Sequence, residues 1–66
     1  MIWKDINTIP NANEPIVCTT YKRRIISLIA EGKDRWNFFV DYYSIRYWAY
    51  QNDLINEVDF IFNNKV

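Results

Sequence analysis

Two runs of β-forming residues, on either side of a short basic segment, set the first limit on the fold. Residues 16–21 (IVCTTY) and 25–30 (IISLIA) are rich in β-branched side chains, which pack well on a pleated sheet. The first run follows Pro15, and proline is tolerated where a strand begins. The pattern therefore predicts a β-hairpin that turns at residues 21–24.

Two aromatic-rich runs extend the predicted sheet. Residues 35–40 (RWNFFV) and 45–50 (IRYWAY) read as a third and a fourth strand. Gly32, the only glycine, lies in the turn before the third run. Four strands with short links favour an antiparallel meander. Residues 1–15 contain asparagines and prolines that break regular structure, so we expect an irregular arm there.

The C-terminal tail fits two structures. Leu54, Val58, Ile61 and Phe62 would share one face of a helix. However, Val58, Phe60 and Phe62 also alternate as in a strand. A small sheet needs a cover for one of its faces, so we favour a short helix from about 53 to 62.

The expected fold is therefore α+β, mainly β: an antiparallel four-stranded meander with an irregular N-terminal arm and a short C-terminal helix. It forms a single domain over residues 1–66. Half of the residues are hydrophobic and 18% are aromatic, and a domain this small hides only about 60% of its unfolded surface. We expect the helix and arm to cover one face of the sheet, while the other presents aromatic rings as an interaction surface. A homo-oligomer is the simplest outcome.

Charge and targeting signals limit the partners and the location. Eight basic residues balance eight acidic ones, which argues against broad affinity for nucleic acid. No run approaches the roughly 20 apolar residues of a membrane span. The start of the chain, residues 1–5 (MIWKD), lacks the pattern of a signal peptide, and a single cysteine suits a reducing compartment. We expect a cytoplasmic protein with no membrane contact.

Side chains that usually carry out catalysis are scarce. The chain has no histidine, the commonest general acid or base and the partner of serine and cysteine nucleophiles. Cys18 lies within a predicted strand, where we expect a buried and inert thiol. One thiol cannot form a zinc site, and one glycine cannot form a phosphate-binding loop. We predict that the protein is not an enzyme and uses no metal or cofactor.

The tip of the predicted hairpin is the first candidate for binding. Tyr21, Lys22, Arg23 and Arg24 place three positive charges beside an aromatic ring. Arginine pairs with carboxylate or phosphate through two hydrogen bonds and stacks on rings. The tip therefore fits an anionic partner, and the alternative interpretation is a solvated turn.

A second candidate surface follows the third predicted strand. Tyrosine, tryptophan and arginine dominate the energetic centres of protein interfaces and also stack on bases, so a nucleotide pocket is an alternative. For Trp48, a position in the core or in a subunit interface is the competing interpretation. The members of this set are Asp41, Tyr42, Tyr43, Arg46, Trp48 and Tyr50.

The third candidate set is acidic. Asp53, Glu57 and Asp59 carry three negative charges, with no basic residue before Lys65. Separate positive and negative patches can dock one subunit on another or meet complementary patches on a host protein.

Several of these positions carry a family resemblance. Residues 3–6 (WKDI) and the pair Ile9-Pro10 look like the opening motif of a small phage and prophage family, domain of unknown function number 551. Residues 16–19 resemble its first strand, and residues 45–50 its closing aromatic motif. Tyr47 stands where the family usually has a histidine, the prolines after the closing tryptophan are missing, and the tail from residue 51 extends beyond the usual end.

The resemblance, over roughly residues 2–50, implies a small accessory protein of a phage or mobile element in the bacterial cytoplasm, with no catalytic residue to carry over. The expected function is to bind and inhibit a bacterial defence component, as anti-CRISPR proteins do. Two alternatives stay open: a sponge for a cyclic or linear nucleotide signal, and a structural protein that assembles with itself.

Overall fold

A four-stranded antiparallel sheet is the frame of the molecule. The computed structural model describes residues 2–56, and the sheet order is β1-β4-β2-β3. The α+β fold with a four-stranded antiparallel sheet is confirmed, as is a short helix near the C-terminus; of the helix expected at 53–62, residues 57–62 lie outside the described part. The elements are β1 (Lys4–Asp5), β2 (Pro15–Thr20), β3 (Ile25–Ile29), α1 (Lys33–Tyr43), β4 (Ile45–Tyr50) and α2 (residues 51–56).

The β2–β3 hairpin forms where the sequence predicts it. Its register runs from Pro15 opposite Ile29 to Thr19 opposite Ile25. Thr20 closes the turn twice: its N–H donates to the Arg24 carbonyl at 3.0 Å, and its Oγ1 accepts a hydrogen bond from the Arg24 N–H at 3.1 Å. Both strands could be predicted because the β-branched side chains that favour each strand lie within that strand.

The prediction of a third strand at residues 35–40 is wrong, because this segment lies within helix α1. Trp36, Phe39, Val40 and Tyr43 are spaced by three, one and three residues, which places them on one face of a helix. Trp36 and Phe39 are buried against the sheet. The aromatic residues of segment 35–40 favoured a strand. The helical spacing of the apolar residues is recognisable only when Tyr43, outside that segment, is included.

The meander prediction is also wrong, because α1 carries the chain across the sheet. β4 pairs with β2 on the side away from β3, and β1 from the N-terminal arm then pairs with β4. Two indole N–H groups hold the arm: Trp36 donates to the Ile6 carbonyl at 3.0 Å, and Trp48 donates to the Asp5 carbonyl at 3.1 Å. The arm is therefore irregular except for the two-residue strand β1.

Helix α1 covers one face of the sheet; we call the opposite face, on which several side chains of residues 2–56 are exposed, the open face. The open face carries Ile25, 73% exposed, and Ile29, 56% exposed, together with Tyr47. It is more aliphatic than predicted, since most of the exposed rings lie on α1 and at the hairpin tip. The core on the covered face consists of Ile16, Cys18, Ala30, Trp36, Phe39, Ile45 and Trp48.

Gly32, which precedes α1, yields a first prediction. Its φ of 105° and ψ of 179° lie in a region that is open essentially only to glycine. A Cβ at this position would meet no atom within 4 Å, so the cost of Gly32→Ala comes from the backbone conformation alone. We expect a loss of about 1–3 kcal/mol in unfolding free energy, measured by urea denaturation. D-alanine at residue 32, introduced by chemical synthesis, should avoid most of that loss; an equal loss for both enantiomers would contradict the explanation.

Candidate binding site

Two of the predicted residue sets meet at one end of the molecule. The tip of the β2–β3 hairpin and the last turn of α1 enclose a cleft of about 290 Å³. The hairpin contributes Lys22 and Arg24, and the helix contributes Tyr42 and Tyr43. We call this feature the basic-aromatic cleft. Its lining residues are Thr20, Lys22, Arg24, Ile26, Tyr42, Tyr43 and Ser44.

Backbone hydrogen bonds fix the two walls of the cleft relative to each other. Tyr21 N–H donates to the carbonyl of Ser44 at 3.0 Å. Ser44 ends α1 in the left-handed conformation, with φ 55° and ψ 50°, and its N–H donates to the Val40 carbonyl. The hairpin tip is thus tied directly to the C-cap of the helix. A ligand would meet a largely preformed arrangement, which lowers the entropic cost of binding.

A β-bulge places an arginine stack beside the cleft. Thr19 pairs with Tyr47 and Thr20 pairs with Ile45, so Arg46 has no partner on β2. The Arg46 guanidinium carbon lies 5.8 Å from the Tyr21 ring centroid and 5.3 Å from that of Tyr47. Bulges redirect side chains in this way. Tyr47 was missed because strict alternation assigns it to the face of Ile45, and a bulge has no reliable sequence signal.

The outer face of α1 extends the aromatic surface away from the cleft. The rings of Phe38 and Tyr42 are stacked with centroids 5.5 Å apart, and both side chains are exposed. The Arg35 guanidinium carbon lies 4.8 Å from the Phe38 centroid. Phe38 was missed because the predicted strand ends at residue 40, whereas α1 continues to Tyr43 and places Phe38 and Tyr42 one turn apart on the same helix face. Asp41 is exposed on the same helix but does not line the cleft.

Trp48 belongs to the core and not to the binding surface. Its side chain is 0% exposed and packs edge-to-face against Trp36, with centroids 5.9 Å apart. The alternative of a core position is therefore confirmed, and Trp48 cannot touch a partner in the folded protein. Tyr50 is half-buried, and its hydroxyl accepts a hydrogen bond from Asn11 N–H at 3.0 Å. It supports the N-terminal arm.

The acidic set is not part of the cleft in the described residues. Asp53 lines a separate pocket of about 190 Å³, together with Glu14 and Tyr50. Strand β4 begins beside the cleft and ends near this pocket, so the two features are roughly 20 Å apart at the usual rise per strand residue. Glu57 and Asp59 lie outside the described residues.

The cleft carries a net positive charge. Lys22 and Arg24 line it, and Arg23 and Arg46 lie close by on exposed positions. The C-terminal end of α1 contributes about half a negative charge, which is smaller than the two full charges of the lining residues. Carboxylate groups are the protein groups that such a site attracts most strongly.

The single thiol does not line the cleft. Cys18 is fully buried in the core, and this burial raises the pKa of the thiol from 9.0 to about 12. The prediction of a buried cysteine is confirmed, and a raised pKa leaves little of the reactive thiolate at neutral pH.

The described part of the chain and the comparisons with known proteins give two further findings. Among residues 2–56, no helix has the length and apolar character required to cross a membrane. No family model, no curated protein and no solved structure matches the chain.

Proposed function

We propose that this chain is a non-enzymatic binding protein that attaches to an acidic surface of a partner protein through the basic-aromatic cleft. The observation that supports this function is the meeting of Lys22 and Arg24 with Tyr42 and Tyr43 in one cleft. The cations supply attraction and orientation for carboxylates. The tyrosines supply large contact areas with few rotatable bonds, and such residues are enriched in the energetic centres of interfaces.

The proposed partner is a component of a bacterial defence system, which the protein inhibits by occupying its surface. The resemblance of residues 2–50 to a phage and prophage family supports this partner class. Because side chains that usually carry out catalysis are scarce, we infer that the protein would inhibit this partner by binding to it and not by a chemical reaction. The exposed Arg46 stack, formed with Tyr21 and Tyr47, would widen the contact beyond the cleft.

The same cleft gives a second candidate, the nucleotide sponge. Two cations could hold phosphate, and two tyrosine rings could stack on bases. However, the volume of about 290 Å³ is at the lower limit for small-molecule sites, and the C-terminal end of a helix disfavours phosphate. Calorimetry with a panel of cyclic and linear nucleotides tests this candidate; the absence of heat with every member would remove it.

A charge-reversal pair tests the protein-binding function. Lys22→Glu places a negative charge in the cleft, whereas Lys33→Glu makes the same change at the exposed start of α1, about 15 Å away along an 11-residue helix. Immobilised wild-type protein and both variants are exposed to lysate from phage-challenged bacteria, and captured proteins are quantified by mass spectrometry. Charged pairs at interfaces contribute about 1.5 kcal/mol or more, so we expect Lys22→Glu to reduce capture of the target at least about tenfold.

The Lys33→Glu control distinguishes an effect located in the cleft from an effect of the change in net charge. Lys33→Glu should retain wild-type capture, and the protein captured by the wild type should belong to a defence system. Equal capture by wild type and Lys22→Glu would contradict the assignment of the cleft. Capture that depends on Lys22 but yields only proteins unrelated to defence would contradict the partner class.

A further inference from the structure

The two edges of the sheet differ in their suitability for pairing with another chain. Strand β1 forms one edge with two residues, Lys4 and Asp5, and a short charged edge resists the addition of a further strand. Strand β3 forms the other edge with five uncharged residues, 25–29 (IISLI). Within residues 2–56, only β2 pairs with β3. The β3 edge thus combines high β-propensity with the absence of charge, proline and glycine.

The backbone of β3 presents its outward groups at alternate residues. The Arg24 carbonyl accepts a hydrogen bond from Thr20 N–H at 3.0 Å, and Ala30 N–H donates to the Glu14 carbonyl at 2.9 Å. Even-numbered residues of this segment therefore bond towards β2. In an antiparallel ladder the residues between them point the opposite way. The residues that direct their N–H and C=O groups to the outer edge are Ile25, Ser27 and Ile29.

We propose that two copies of this chain pair antiparallel through β3, about a two-fold axis at Ser27. In this register Ser27 faces Ser27 of the second copy, and Ile25 faces Ile29 of the second copy. The outward N–H and C=O groups of one strand then meet those of the other, as hydrogen-bonded antiparallel pairs require. A symmetric interface must be complementary to itself, and the sequence around Ser27 meets this condition, because Ile26 faces Leu28 of the second copy.

Exposure and charge fit the same register. Ile25 and Ile29 are 73% and 56% exposed on the open face, and each would be covered by its counterpart across the axis. Strand β3 itself carries no charged residue, so no like charges meet along the paired strands. The result is one continuous sheet across two molecules. This inference does not depend on the proposed function.

A complementary pair of double variants tests the register. Ile25→Lys with Ile29→Lys places like charges opposite each other, as does Ile25→Glu with Ile29→Glu. Both side chains are largely exposed in one copy, so circular dichroism should show an unchanged fold. By sedimentation velocity, we expect the wild type to shift from monomer to dimer with concentration. Each double variant should show a dissociation constant raised at least about tenfold; an equimolar mixture should recover a heterodimer.

A single cysteine provides a second readout of the axis. In the proposed pairing, the Cα atoms of residue 27 in the two copies are about 5.5 Å apart, within the range for a disulfide. Ser27→Cys should give a covalent dimer with diamide as oxidant, whereas the exposed control Asn37→Cys should not. A wild type that stays monomeric into the millimolar range would overturn the proposal. A dimer that the lysine pair leaves intact would overturn it as well.

Discussion

Trp48→Ala should leave a chain that no longer folds cooperatively at 25 °C. Trp48 is fully buried, and its ring contacts the rings of Trp36 and Tyr50 at centroid distances of 5.9 Å and 4.9 Å. Its indole N–H also donates to the Asp5 carbonyl at 3.1 Å and to the Thr8 carbonyl at 2.8 Å. The substitution removes the centre of the core and the attachment of the N-terminal arm together.

The magnitudes support this expectation. Replacement of a buried tryptophan by alanine costs about 3–5 kcal/mol, and a domain of this length has a total stability of about 3–10 kcal/mol. Urea denaturation followed by circular dichroism measures the effect. Trp48→Phe, which keeps a ring but loses the donor, should still fold, with a loss of about 1–3 kcal/mol. If Trp48→Ala stayed within about 1 kcal/mol of the wild type, the core would be assigned incorrectly.

Alkaline pH should destabilise the protein through Cys18. Burial raises the pKa of this thiol from 9.0 to about 12, so the folded protein keeps the thiol protonated while the unfolded chain ionises above pH 9. The corresponding stability is fully present below pH 9 and is lost as the pH rises towards 12, at up to about 1.4 kcal/mol per pH unit.

The comparison with Cys18→Ala isolates this effect from the titration of lysines and tyrosines. Between pH 8 and pH 11, we expect the unfolding free energy of the wild type to fall by roughly 2–3 kcal/mol more than that of the variant. Urea denaturation at both pH values provides the measurement. Parallel losses in the two proteins would show that the thiol is not desolvated in the fold.

The strands predicted correctly are those whose signals are local. The β-branched runs of β2 and β3 identify both strands and the turn between them, and the run at 45–50 identifies β4. Helix α1 was not predicted, because Trp36, Phe39 and Tyr43 show helical spacing only when a window longer than residues 35–40 is considered. Strand β1 has two residues, and its pairing with β4 occurs together with the indole hydrogen bonds of Trp48 to the arm, contacts that no local pattern reveals.

The sequence named the residue types of the candidate site, but it did not predict how they are arranged. Basic and aromatic side chains at the hairpin tip stood out by their chemistry alone. Their meeting with Tyr42 and Tyr43 depends on α1 ending beside Tyr21, a contact between residues that are far apart along the chain. Trp48 was assigned to a candidate interface because of its residue type. In the structure its side chain points inward from β4 and is part of the core.

Amide mapping of the bound protein tests the proposed binding through the basic-aromatic cleft most directly. The ¹⁵N-labelled chain is titrated with the target that the wild type captures, and shifts are followed for every assigned amide. We predict that the largest changes fall on Lys22, Arg24, Tyr42 and Tyr43, while Lys33 at the start of α1 and Asp53 at the opposite end keep their positions. Changes confined to Lys33 or Asp53, with the cleft signals unmoved, would contradict the proposed binding surface.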